Sequence, residues 1–105
     1  MKNERLIELE SMEASESNLK TVQKEIRKEE KNYESTEERI RKLEKQASKS
    51  KGRVRFRILK DKVEQNESLL GWNAVVIERL SIVELDMMEA LGSEPKEEEE
   101  EEEEE

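Results

Sequence analysis

The residues from Leu69 to Leu91 form the stretch that most constrains how this chain can fold. They read LLGWNAVVIERLSIVELDMMEAL, and 15 of these 23 residues are apolar. The other 82 positions together supply only 18 of the 33 apolar residues in the chain. Because the burial of apolar surface drives folding, any core must be built around this segment, which we call the apolar stretch.

The composition favours long helices over a compact globule. Of the 105 residues, 47% are charged and 31% are hydrophobic, and the mean hydropathy is -1.12. A domain of this length normally buries more than half of the surface of its unfolded chain, and this sequence has little apolar surface to bury. Charge-rich sequences with a helical period are typical of coiled coils. We therefore predict an all-α chain.

Several classes of protein are disfavoured by what the sequence lacks. Cysteine and histidine are absent, which removes disulfides, thiolate nucleophiles and most zinc sites. No catalytic or cofactor motif occurs, so we expect no enzyme, no cofactor and no metal site. The N-terminal MKNERLIELE is too charged for a signal peptide, and no run approaches the ~20 apolar residues of a membrane span. We expect a cytoplasmic or nuclear protein with neither a membrane nor a small-molecule partner.

A heptad repeat runs through the first half of the chain. Residues 1–51 contain no glycine or proline, and two series recur at intervals of seven. The first series is Met12, Leu19, Ile26, Tyr33, Ile40 and Ala47, and the second is Ser15, Val22, Glu29, Thr36 and Leu43. This pattern predicts a helix that packs along one narrow seam, and we place that helix at about residues 3–48.

A chain reversal and a second helix follow. Residues 46–53, QASKSKGR, indicate a turn at about 49–53, with Gly52 in the left-handed conformation that often follows a helix. Helical spacing then predicts a helix over about 54–91, which the glycine and proline of GSEP terminate. The predicted fold is an elongated antiparallel helical hairpin, or coiled coil, that spans residues 1–92.

A three-helix bundle is the alternative fold. Gly71 disfavours a helix interior by about 1 kcal/mol relative to alanine, and residues 81–84, SIVE, match a capping box that could start a new helix. A break near Gly71 or Ser81 would therefore produce three helices. The third helix would fold back over the apolar stretch and hide it within the monomer.

Polar residues interrupt both predicted helix seams. Folding the chain back at about Lys51 places Thr36 and Glu29 near the levels of Asn66 and Asn73, so the polar layers of the two helices could meet. In coiled coils, buried polar layers fix the register and the number of partners. The alternative is that these residues are exposed where the seam drifts.

The charges are segregated along the chain. Residues 39–62 carry 11 basic and 2 acidic side chains, a net charge of +9, whereas residues 63–93 carry 1 and 6. We call residues 39–62 the basic tip, because they surround the predicted turn. They could bind a polyanion, either nucleic acid or an acidic protein surface, or simply be solvated. The residues assigned to this predicted polyanion site are Lys49, Lys51, Arg53, Arg55, Phe56, Arg57 and Lys60.

Residues 93–105 form a predicted acidic tail. They include nine consecutive glutamates, Glu97–Glu105, and a run of like charges repels itself and is expected to be disordered. The acidic tail could simply confer solubility. Alternatively, it could act as a regulator that binds histones or masks the basic tip.

The apolar stretch exceeds what one narrow seam can cover. Exposed apolar area marks an interface, and tryptophan is a frequent anchor. We therefore expect a non-enzymatic coiled-coil module for protein–protein interaction or oligomerisation, a scaffold or adaptor that pairs with itself or with a partner helix. The alternative is a nucleic-acid- or chromatin-associated protein that uses the basic tip and the acidic tail. The predicted partner interface consists of Leu69, Trp72, Val75, Val76, Ile82, Val83, Met87 and Met88.

Overall fold

The computed structural model describes residues 1–92, which form three helices. Helix α1 spans Asn3–Glu10, α2 spans Glu16–Lys49 and α3 spans Arg53–Ala90. The α2 and α3 helices run antiparallel and pack against each other in a structure with extents of 62 × 36 × 15 Å. The predicted elongated helical hairpin is confirmed. The acidic tail lies outside the described residues.

The heptad repeat correctly identifies the inner side of α2. All six buried residues of this helix belong to the two predicted series, and they are Val22, Ile26, Glu29, Thr36, Ile40 and Ala47. The buried residues of α3 are Leu59, Val63, Asn73, Val76, Leu80 and Met87. These two rows of side chains face each other along the hairpin, and we call them the inner seam.

The helix predicted over residues 3–48 is two helices, because the chain breaks at residues 11–15. Ser15 has an extended backbone (φ -153°, ψ 158°), and its Oγ accepts a hydrogen bond from the Asn18 N–H at 3.1 Å. A serine at this position satisfies one of the free N–H groups of the first helical turn. Helix α2 therefore begins at a cap of its own, and the preceding residues are free to turn away.

Helix α1 folds back onto α3 and completes the core. Leu6 and Leu9 are both 0% exposed. The core cluster comprises Leu6, Leu9, Val22, Ile26, Val76, Leu80 and Met87, with Met1, Met12, Leu19, Trp72 and Val83 packed at its margin. A third helix thus covers part of the apolar stretch, but it comes from the N-terminus. Helix α3 is continuous through Gly71 and Ser81, as the hairpin prediction required, so the break of the alternative fold does not occur at either residue.

Three polar contacts connect Met1 and helix α1 to the hairpin. Trp72 Nε1 donates a hydrogen bond to the backbone carbonyl oxygen of Met1 at 2.5 Å, and the Met1 amino group lies 3.3 Å from Glu29 Oε2. Glu10 accepts two hydrogen bonds from the Arg79 guanidinium, one of them from Nε at 2.8 Å. The first pair of contacts holds the start of the chain, and the ion pair holds the end of α1.

A buried polar pair crosses the inner seam, one heptad away from the predicted level. Thr36 and Asn73 are 1% and 2% exposed, and Thr36 Oγ1 lies 3.1 Å from Asn73 Oδ1. The predicted partner of Thr36 was Asn66, which is only partly buried. Polar residues of the two helices therefore do meet, with Asn73 opposite Thr36.

The geometry of the turn explains the shift in register. Gly52 has φ -98° and serves as the N-cap of α3, so its predicted left-handed conformation was wrong. Residues 53–58 are all exposed, and burial on the two sides of the turn begins at Ala47 and Leu59. The first six residues of α3 thus take no part in the inner seam. The left-handed glycine is Gly92 (φ 71°), just past the end of α3, where a helix stop was predicted.

The packing of α1 makes a first prediction. Leu6→Ala removes a fully buried side chain from the core cluster, and we expect it to lower the free energy of unfolding by about 2–5 kcal/mol. Ile7→Ala is the matched control, because Ile7 is 51% exposed on the same helix, and it should change stability by less than about 0.5 kcal/mol. Urea unfolding followed by Trp72 fluorescence measures both. Equal losses for the two variants would contradict the observed orientation of α1.

The ion pair between Glu10 and Arg79 makes a second prediction. The hydrogen bonds from Arg79, assisted by its positive charge, lower the pKa of the Glu10 carboxyl below its ordinary value. Because the pKa is lower in the folded chain, this stabilisation is complete above the unfolded pKa of about 4.3 and is lost as the pH falls through the folded pKa. The expected result is that Glu10→Gln is less stable than the wild type at pH 6 and that the difference disappears in acid.

A second carboxylate provides the control for this pH dependence. Glu38 pairs with Arg41 within α2 at 2.7 Å, and Arg41 likewise lowers the pKa of Glu38. Because the Glu38–Arg41 pair is far from α1, Glu38→Gln should have the same Trp72 emission as the wild type at every pH. If Glu10→Gln and the wild type differ equally at pH 6 and pH 3, the ion pair does not hold α1.

Candidate interaction surfaces

The structure divides the predicted partner interface into a covered part and an exposed part. Val76 and Met87 are 0% and 3% exposed, because α1 and α2 pack over them, so they offer no surface to a partner. Trp72 and Val83 are partly buried against the same core cluster, and Met88 is also partly buried. Leu69, Val75 and Ile82 remain exposed at 39%, 42% and 53%. Sequence reasoning missed that α1, together with α2, would cover part of this interface.

The signal that could have revealed α1 lies in the serines on either side of the break. Ser11 Oγ lies 3.0 Å from the carbonyl oxygens of Ile7 and Glu8, at the end of α1. Ser15 caps α2, as described above. A pair of serines four residues apart, followed by Asn18, is typical of a helix end and a helix start, whereas the heptad repeat alone favours a continuous helix.

A second heptad pattern follows the outer side of α3, opposite the inner seam. Its positions alternate in steps of three and four residues, which is the spacing of a helix-packing seam. We call it the outer seam. It consists of Val54, Arg57, Asp61, Glu64, Ser68, Gly71, Val75, Glu78, Ile82, Leu85 and Glu89. All eleven residues are exposed, so nothing within residues 1–92 packs on this side of the helix.

Three of the four apolar members of the outer seam lie towards its two ends, and the fourth, Val75, lies near its middle. Val54 is 74% exposed near the turn, while Ile82 and Leu85 are 53% and 57% exposed near the other end. The middle of the seam has small side chains at Ser68 and Gly71. Apart from the adjacent backbone of its own helix, a Cβ atom placed on Gly71 would meet no atom within 4 Å. Within residues 1–92 there is therefore no packing reason for a residue that disfavours a helix by about 1 kcal/mol relative to alanine.

The basic tip is the second exposed surface. The structure brings all seven predicted polyanion-site residues to the turn, where each is exposed; they are Lys49, Lys51, Arg53, Arg55, Phe56, Arg57 and Lys60. Of the 11 cations of the basic tip, only Arg41 forms an ion pair within residues 1–92. Most of the positive charge is thus uncompensated by neighbouring side chains.

Apolar side chains are mixed with these cations. Val54, Phe56 and Ile58 are 74%, 45% and 49% exposed. An open groove of about 640 Å³ runs between the end of α2 and the start of α3 and includes Gln46, Arg55, Ile58 and Lys62 in its lining. The basic tip can therefore offer apolar contacts together with positive charge.

Neither surface, as far as residues 1–92 describe it, holds a candidate metal centre. In the part of the chain that the structure describes, no three carboxylates are placed to share a metal ion. Within residues 1–92, no helix combines the length and apolar content needed to cross a membrane. No family model, curated protein or solved structure matches this chain. Its function must therefore be inferred from the two surfaces.

Proposed function

We propose that this protein is a non-enzymatic coiled-coil interaction module, a scaffold or adaptor that pairs through the outer seam of α3. The observation that supports this proposal is a heptad series of eleven exposed positions that contains Val75, Ile82 and Leu85. Isolated exposed apolar residues are normal, whereas apolar residues at the spacing of a helix-packing seam can be buried together by a single partner helix.

The position of Trp72 changes the expected role of that residue. Trp72 is partly buried, packs against the core cluster and donates its indole N–H to Met1. Its contribution is therefore to hold α1 on the hairpin. The anchors of the proposed interface are the exposed Ile82 and Leu85, supported by Val75 and Val54.

This proposal makes a prediction about association. The double variant Ile82→Ser, Leu85→Ser should remain folded, because both side chains are exposed, and should weaken association at least tenfold, which is about 1.4 kcal/mol. Ile7→Ser is the matched control, since Ile7 is an isoleucine of similar exposure (51% against 53%) outside the outer seam. Sedimentation equilibrium of the full chain measures the effect. Unchanged association of the double variant, or equal loss in the control, would refute the outer seam as the interface.

A second candidate function is the binding of a polyanion by the basic tip. It is favoured by the unpaired cations around the turn and by the exposed Phe56, which could stack on a nucleic-acid base. Cations at this density would displace counterions from phosphates. The whole chain is acidic (pI ≈ 4.8), and this works against nucleic-acid affinity unless the acidic tail is held away.

The acidic tail supplies the test of this second candidate. Replacing Lys96–Glu105 with glycine and serine residues keeps the chain length and removes nine negative charges, and we expect it to raise affinity for duplex DNA at low salt. The gain should vanish as salt screens the charges. Fluorescence anisotropy of a labelled duplex measures both. Absent or identical binding in the two chains would remove support for the polyanion function and leave the basic tip as a solvated helix end.

A further inference from the structure

We infer that the occupant of the outer seam is a second copy of this chain, packed antiparallel, with the basic tip of each copy on the acidic end of α3 of the other. This inference rests on the proposed function and names its partner. Four features of α3 support it: the sign of the charges at its two ends, the placement of its apolar residues, a glycine at its middle, and the point at which the helix ends.

The charges of α3 are opposite at its two ends. Residues 53–62 carry five basic side chains and one acidic one, Asp61, whereas residues 63–90 carry six acidic side chains and one basic one, Arg79, which is paired with Glu10 of α1. Parallel packing of two copies would place like charges together. Antiparallel packing places Arg53 and Arg57 of one copy near Asp86 and Glu89 of the other, twice by symmetry.

Two of the four apolar residues of the outer seam, Val54 and Leu85, lie at similar distances on the two sides of Gly71, and the other two, Val75 and Ile82, follow Gly71. Val54 lies 17 residues before Gly71 and Leu85 lies 14 residues after it, which correspond to about 26 Å and 21 Å along the helix. With a two-fold axis close to Gly71, Val54 of one copy and Leu85 of the other come within one helical turn of the same level. Ile58 and Ile82 add further apolar surface at the same two places.

Gly71 is the residue that such an axis requires. Two helices approach most closely where their side chains are smallest, and glycine permits close approach of another backbone. Gly71 and Ser68 are the two adjacent small residues of the outer seam, and the space above Gly71 is empty within the monomer. A second helix that passes over this point gives the glycine a packing role that the monomer does not.

The end of α3 is consistent with the same arrangement. Gly92, just past α3, lies 21 residues after Gly71, so an axis near Gly71 brings it level with Ser50 in the turn of the other copy.

A charge-swap experiment on the full chain tests the arrangement. The tip variant carries Arg53→Glu and Arg57→Glu, and the base variant carries Asp86→Lys and Glu89→Lys. Each variant alone places like charges together in the antiparallel pair, so each should associate at least tenfold more weakly than the wild type in sedimentation equilibrium at low salt. In an equimolar mixture, the acidic tip of the tip variant can pair with the basic end of α3 in the base variant. The unchanged basic tip of the base variant can pair with the unchanged acidic end of α3 in the tip variant. The mixture should therefore form heterodimers of near wild-type affinity.

The outcomes separate this inference from the proposed function. Suppose that the tip variant associates as strongly as the wild type, while the double variant Ile82→Ser, Leu85→Ser associates more weakly. The outer seam is then an interface, but the antiparallel arrangement is overturned. If all variants associate equally, the outer seam itself is wrong. If the wild type is monomeric at every concentration, a second copy is not the partner, and only a different partner helix could occupy the seam.

Gly71→Leu provides an independent test, because it should raise the stability of the fold and weaken association. Leucine forms helices better than glycine, and no atom blocks the added side chain in the monomer, so the melting temperature at dilute, monomeric concentrations should rise by several degrees. The same side chain should block close approach of a second copy and weaken association at least tenfold. A variant that is more stable and associates normally would overturn an axis near Gly71.

Discussion

The burial of Leu6 and Leu9 against α3 is the contact on which the rest of the structure depends. Helix α2 offers α3 only a narrow seam, and that seam contains the polar residues Glu29 and Thr36. Part of the additional apolar surface of α3 is covered by α1, which is only eight residues long. Because an isolated helix of this length is unstable in water, α1 is helical only while it is docked. The core and the shortest helix therefore form together.

Polar groups limit how this core can be assembled. Glu29 is 2% exposed in the inner seam, where its carboxylate receives a hydrogen bond from Asn32 and lies beside the Met1 amino group. An unpartnered carboxylate there would be strongly destabilising. Correct placement of the start of the chain thus satisfies a charge in the α2–α3 seam. The pair of Thr36 and Asn73 disfavours other registers in the same way, since a slipped register would bury each of them against apolar neighbours.

Sequence reasoning found the hairpin because the heptad series of α2 is a periodic helix signal and the glycine after α3 marks the end of a helix. It missed the break at Ser15 because a serine at a seam position is consistent with a weak coiled coil, and only the bond to Asn18 distinguishes it as a cap. Because the break was missed, α1 was not expected to pack near Trp72, and more apolar surface was therefore predicted to be exposed there. The register was misplaced by one heptad, since the sequence does not show that the first six residues of α3 extend beyond the seam.

The site residues show the same division between pattern and packing. The cations around the turn were located correctly, because their position follows from the chain reversal alone. The residues of the predicted partner interface were separated only by packing: Val76 and Val75 are neighbours in sequence, yet one is buried and the other is 42% exposed. The outer seam was present in the sequence as a second series of heptad positions. It could not be recognised until the inner seam was assigned, because an amphipathic side is defined by which residues the first partner covers.

The outer seam also sets limits on the kind of association that it can support. Four of its eleven residues are apolar, so the apolar area that one partner helix can bury is small, and small interfaces are typical of transient complexes. Opposite charges at the two ends then speed association and set its direction, and like charges placed together there oppose it. Because these charges are exposed, salt screens them. An assembly built in this way would be reversible and sensitive to ionic conditions, whereas Leu6 and Leu9 of the α1–α3 contact are apolar and fully buried and therefore respond little to salt.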